Sequence, residues 1–132
     1  MAHEAILRDR FSDPVDFTWC YDHTGAEKGT ILKLSGSRIV APCTADGDVV
    51  IGILAREKIA GDGRTQVSVY LDGIFDCYVI DAVPNGSEVG VSGSNTLKVF
   101  TAGDSEDGTV LGNVIEACVA GDNTVQVIVN KK

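Results

Sequence analysis

A nucleophile with a general base is the first chemistry to look for, and the sequence restricts it sharply. Its two histidines, His3 and His23, both fall within the first 28 residues. No imidazole stands near a Cys, Ser or Thr in the rest of the chain, which speaks against a hydrolytic triad. Paired carboxylates are the next option, because two of them flanking a sugar bond can hydrolyse it. Here Asp62, Asp104, Asp107 and Asp122 each adjoin a glycine, the context in which Asp bonds its own backbone and makes turns. Asp104-Ser105-Glu106-Asp107-Gly108 invites a calcium test. Counted from Asp104, the fifth loop position is Gly108 and the twelfth Ile115, so the EF-hand pattern fails and only an incidental surface calcium site is left open. Gly90-Val91-Ser92-Gly93 lacks the lysine and the helix of a phosphate-binding loop. We therefore expect no catalytic residue, no cofactor and no dedicated metal site.

Composition narrows the partners. The formal net charge is −8, and no basic stripe is present to displace counterions from phosphates, so nucleic acid is not an expected partner. No apolar run approaches the length of a membrane span, and the N-terminus lacks a basic region followed by an apolar core, so a soluble, unsecreted protein is expected. Cys20, Cys43, Cys77 and Cys118 contain no C-x-x-C pair. Cys77 and Cys118 lie in apolar runs, and a chain of 132 residues has core enough without staples. Buried free thiols in a reducing compartment are the favoured reading, with a disulfide the alternative.

What would position any site is a repeat. Val50 to Tyr70, VIGILAREKIAGDGRTQVSVY, recurs as Val110 to Asn130, VLGNVIEACVAGDNTVQVIVN, with eight of 21 aligned residues identical. Upstream, Gly29 to Ser37 resembles Gly86 to Ser94 at a slightly shorter offset. In each copy an apolar run is interrupted by Gly52 or Gly112, marking a bulge or a close backbone approach. An Ala-Gly-Asp turn follows. A strictly alternating segment then returns, with Val67, Val69 and Leu71 on one face, the period-2 signature of a half-buried strand.

Glycine-rich turns every ten residues or so, with only three Pro, favour an all-β fold: a small β-barrel or sandwich built from a twofold internal duplication. One β domain over 29–132 is expected, with units of about 29–71 and 86–130, nine short strands, and Val83-Pro84-Asn85-Gly86 as the joint. Strand order stays open among a barrel, a sandwich and two lobes. Residues 1–28 differ in composition and read as an extended N-terminal arm. Ala2 to Arg10 suits a short helical turn ended by Asp13-Pro14, and Val15, Phe17 and Trp19 alternate with polar residues. An arm carrying Phe11, Phe17, Trp19 and Tyr21 has two readings. These side chains either cap the chain's own barrel or pack on a neighbouring surface, where aromatic anchors supply much of the binding energy.

Lys28-Gly29-Thr30-Ile31-Leu32-Lys33-Leu34, a hairpin into Val40-Ala41, then Val50 to Ala55, a glycine turn, and Gln66 to Phe75 together resemble the capsid cement, or head decoration, proteins of tailed double-stranded DNA viruses. The similarity covers roughly residues 26–130. It implies a non-enzymatic virion protein on the exterior of an icosahedral head, made in the host cytoplasm. Its implied partners are the major capsid protein and two further copies of itself in a trimer. Phe11, Phe17, Trp19 and Tyr21 are then candidates for the capsid or subunit interface. Two rivals remain. A tail or receptor-binding β module recognising a glycan would show aromatics and carboxylates along a surface groove. A small barrel enzyme would need a concave pocket lined by titratable groups.

Overall fold

The computed structural model describes residues 4–44, 48–79, 83–92, 95–99, 110–116 and 124–130. Among them are eleven strands and no helix, so the fold is all-β, as the glycine and valine patterning indicates. In chain order they are β1 (Ile6–Asp9), β2 (Val15–Trp19), β3 (Ile31–Gly36), β4 (Ile39–Pro42), β5 (Val50–Leu54), β6 (Gln66–Tyr70), β7 (Asp72–Val79), β8 (Glu88–Val91), β9 (Thr96–Val99), β10 (Gly112–Glu116) and β11 (Thr124–Asn130).

They close into two five-stranded barrels of one plan. The first runs β2-β4-β3-β5-β6 and back to β2. In the second, β7-β11-β10-β8-β9 is closed by a parallel pairing of β9 with β7, just as β4 pairs in parallel with β2. Each barrel has one parallel contact, and every other pairing is antiparallel. Closure leaves neither barrel with an open ladder edge along its full length, which reduces the template for aggregation to short stretches. Only Leu71 separates β6 from β7.

This plan corrects the boundaries expected for the duplication. The repeating unit begins at β2 in the first copy and at β7 in the second, so Val15–Trp19 is a barrel strand and not part of an arm. Nor is Ile6–Asp9 helical. It is a strand paired antiparallel with β7, Ile6 facing Asp76 and Leu7 facing Phe75. Both facts rest on contacts distant in sequence, which outweigh the weak local preference of so short a segment.

The cores explain why some strands read as continuous apolar runs. Phe17, Trp19, Leu32, Val40, Leu54, Val67 and Val69 fill the first barrel. Phe75, Cys77, Val79, Val89, Val91, Leu97, Leu111, Val125, Val127 and Val129 form the second cluster, joined by Ile31, Val50 and Ile53 from the first barrel. Strands β3 and β5 thus send Leu32 and Leu54 inward and Ile31 and Ile53 toward the neighbouring barrel. Both of their faces are covered, hence Val-Ile-Gly-Ile-Leu instead of an alternating pattern. Each fully buried Leu or Ile contributes roughly 1.5–3 kcal/mol. Gly52 and Gly112 are close-approach positions: a Cβ on either would collide with a carbonyl oxygen of the adjacent strand, of Tyr70 or of Ile128.

Candidate functional site

A surface loop held by several anchors follows β2. Trp19, buried in the first core, donates from its indole Nε1 to the carbonyl of Thr24 at 2.7 Å. Thr24 N–H donates in turn to Tyr21 O at 3.0 Å, closing a tight turn over Tyr21–Thr24. A second anchor comes from Lys58, whose side chain is fully buried. Its ammonium donates to Asp22 Oδ1 at 2.9 Å, Asp62 Oδ1 at 2.8 Å and Ile59 O at 2.9 Å. Asp22 is held further by Gly63 N–H on its carboxylate, at 2.9 Å, and by Gly61 N–H on its carbonyl, at 2.7 Å. An Asp-Gly turn and a buried lysine therefore clamp the loop that carries Tyr21.

The electrostatics fit a charged clasp. Burial disfavours the ammonium of Lys58, but the hydrogen bonds it donates to the carboxylates of Asp62 and Asp22 outweigh it and hold its pKa above the usual lysine value. Lys58 and the N–H of Arg64 hold Asp62 below the usual carboxylate range. Lys58 is thus a protonated structural cation with its donors engaged, not a nucleophile. Asp62 makes the expected turn, its carboxylate accepting from Arg64 N–H, and adds the clasp to it.

Beside this loop a groove of about 580 Å³ runs along the outer face of β3 and β4. Ile39, Ala41 and Pro42 give it an apolar stretch, while Thr24, Lys33, Ser35 and Thr44 supply hydroxyls and one ammonium. Lys33 Nζ lies 3.2 Å from Thr44 Oγ1 and 3.9 Å from Asp48 Oδ2, and Asp48 also accepts from Thr44 N–H at 2.9 Å. Tyr21 stands at the groove and is 66% exposed, with its ring stacked on His23 at 5.5 Å between centroids.

The four aromatics proposed as interface residues separate into two classes. Phe17 and Trp19 point into the first barrel and are buried, whereas Phe11 and Tyr21 are exposed. For the inward pair the structure favours the reading in which the side chains serve the chain's own barrel over an interface role: alternation along β2 puts both on the core face. Phe11 lies in the link between β1 on the second barrel and β2 in the first. Ile6 is likewise exposed. Cys20, Cys43 and Cys77 are free thiols. Burial pushes Cys43 and Cys77 up to about 12, with Asp48 and Asp76 respectively adding to the shift, so neither is a ready nucleophile. His3, Cys118, the 104–108 acidic segment and Asp122 lie outside the described residues. Among those described, no three His, Cys, Asp or Glu side chains converge to hold a metal ion, and no helix is long and apolar enough to cross a membrane.

Sequence reasoning missed the clasp. Lys58 four residues before Asp62, in the interior of a repeat unit, is a usable signal. Asp22 is not, because it arrives from 36 residues away. No family model matches this chain, and no curated protein sequence is similar to it.

Proposed function

We propose that this protein is a structural virion component, a cement protein that binds the exterior of an icosahedral head and ties neighbouring major capsid subunits together. The observation that carries the reading is the resemblance of Lys28–Leu34, Val50–Ala55 and Gln66–Phe75 to head decoration proteins. Those segments correspond to β3, β5, β6 and the start of β7, so the resemblance follows one continuous piece of architecture and not scattered residues. On this reading the protein is not an enzyme, is made in the host cytoplasm and acts on the capsid surface as a homotrimer. Binding only the assembled, expanded lattice stabilises that lattice by mass action. Three linked copies hold far more tightly than one, because each weak footprint is engaged at high effective concentration. Of the four aromatics, Phe11 and Tyr21 are the ones exposed to a partner, and Ile6 on β1 is a further exposed apolar side chain.

The test is co-sedimentation of the purified protein with expanded, undecorated heads of the virus that encodes it. Saturable binding at a fixed number of copies per capsid subunit is the expected result, weakened by Phe11→Ala. Absence of binding discards the reading. Deleting residues 1–27 is unsuitable, since it removes β2 and opens the first barrel; the point variant leaves both barrels closed.

A further inference from the structure

We propose that the groove beside Tyr21 binds a neutral sugar, one or two hexopyranose units of a glycan. Four observations converge on that chemistry. First, Tyr21 is a large aromatic left 66% exposed on a loop pinned by Trp19, Lys58 and two glycine N–H groups. Such rigidity is what lets a surface ring bind without an ordering cost. One face of the ring rests on His23, and the negative face of an aromatic attracts the polarised C–H face of a pyranose. Second, the apolar stretch of Ile39 and Ala41 lies alongside hydroxyl groups and an ammonium. A sugar has the same division, one apolar face and a rim of hydroxyls that both donate and accept.

Third, the groove is close to electrically balanced. Lys33 is accompanied by Asp48 at 3.9 Å, so an anionic ligand gains little from the lysine and a neutral one loses nothing. A hydroxyl bridging Lys33 Nζ and Thr44 Oγ1 would receive one hydrogen bond and donate another. Fourth, the volume of about 580 Å³ lies within the range of small-molecule sites. A peptide strand is the poorer occupant, because β4 is paired with β3 from Ile39 to Pro42 and with β2 at Ile39 and Val40, and Pro42 has no N–H to offer an added strand.

The experiment is an NMR titration of the ¹⁵N-labelled full-length protein with a panel of neutral methyl hexopyranosides and their α- and β-linked disaccharides, each to about 50 mM, the range in which single-sugar affinities of a few kcal/mol are visible. The expected result is saturable shifts confined to residues 20–24, 33–35 and 39–44 with at least one sugar. Tyr21→Ala should weaken that binding about tenfold or more, while Tyr21→Phe, which keeps the ring, retains it. Silence from the whole panel overturns the inference, as do shifts centred elsewhere or undiminished binding by Tyr21→Ala. Because it uses no heads, the titration stands or falls separately from the cement reading.

Discussion

The two barrels share a backbone plan and differ in what closes the seam beside their first strand. In the second barrel β1 lies along β7, Ile6 opposite Asp76, and Arg8 reaches the Asp76 carboxylate at 3.5 Å. The corresponding stretch of β2, Val15 and Asp16, has β6 on one side and no strand on the other among the described residues. Arg38 covers it instead, donating from its guanidinium to Asp16 O at 2.7 Å and lying 5.0 Å over the Phe17 ring. Pro14, with no N–H to offer, precedes the strand and blunts the edge further. A duplicated fold thus protects equivalent edges by two means: a strand in one copy, and a proline with a side-chain lid in the other.

The position just before β4, and its counterpart just before β9, shows the same division of labour. Among the described residues, Arg38 and Asn95 are the two non-glycine residues with positive φ, 56° and 51°, and they stand just before β4 and β9. One backbone conformation has been kept and two side chains put to opposite uses. Exposed Arg38 closes an edge. Buried Asn95 accepts from Ile31 N–H at 2.8 Å and donates to Gly29 O at 3.3 Å, joining the second barrel to the first.

The largest break in this comparison should come from the close-approach glycines. Gly52→Ala and Gly112→Ala each place a methyl against backbone of the adjacent strand, where overpacking costs about 3 kcal/mol or more. Trp19 is the single tryptophan and sits in the first core, so its fluorescence reports that barrel. Urea melts followed by fluorescence and by circular dichroism should shift together for Gly112→Ala, because Ile31, Val50 and Ile53 belong to the second core cluster. If the fluorescence transition stays in place while the dichroism transition moves, the barrels unfold independently.

The clasp distinguishes the copies next. The residue aligned with Lys58 in the repeat is Cys118, which cannot make the same ion pair. The Lys58 clasp should make stability depend on pH at both ends. Asp62 titrates below its unfolded value, so its contribution is present above about pH 4 and is lost as pH falls through the folded pKa. Lys58 titrates above its unfolded value, so its contribution holds below about pH 10 and is lost as pH rises through the folded pKa. Lys58→Met should flatten both limbs and lower the melting temperature at neutral pH by several degrees. An unchanged acid limb in that variant would show that other carboxylates dominate it.

Much of this was readable beforehand, and the failures have a common cause. Alternation in Gln66–Tyr70, the Ala-Gly-Asp turn and the repeat itself are local signals, and each became the structure it suggested. The register of the repeat did not. Gapless alignment pairs Val69 with Val129, yet Gly52 nests against Tyr70 and Val69 while Gly112 nests against Ile128 and Val127. The returning strand of the second unit is therefore two residues ahead of the alignment. A slip of two keeps every side chain on its own face, so no hydrophobic pattern could reveal it. Likewise β1, β2, Asp22 and Asn95 take their roles from partners far along the chain, which composition and spacing do not encode. For the candidate site, the aromatics of the first 28 residues were visible as a group. Their separation into core Phe17 and Trp19 and exposed Phe11 and Tyr21 needed the strand direction.

A smaller effect should follow from Asn95→Gly, which keeps the backbone conformation accessible and deletes only the bridge. Ile31 N–H is then left buried without its acceptor, at a cost of about 1–3 kcal/mol, read as a drop in urea midpoint. A loss well under that range would mean water replaces the amide and the junction is looser than its geometry indicates.

Smallest of all should be Arg38→Asn, which reproduces the residue found at the matching turn of the other barrel and tolerates the positive φ. It removes an exposed hydrogen bond and a cation–π contact, together worth about 1 kcal/mol or less. Its consequence lies elsewhere, in the uncovered edge of β2. The Asp16 N–H points to the side Arg38 covers: Thr18 N–H donates to Arg38 O while Trp19 N–H donates to Thr65 O, and direction alternates along a strand. Hydrogen exchange at Asp16 should therefore accelerate in Arg38→Asn, and sedimentation velocity should show concentration-dependent association absent from the parent chain. If exchange at Asp16 is unaltered and the variant sediments as its parent does, Pro14 alone suffices to blunt the edge, and the guanidinium is only packing on Phe17.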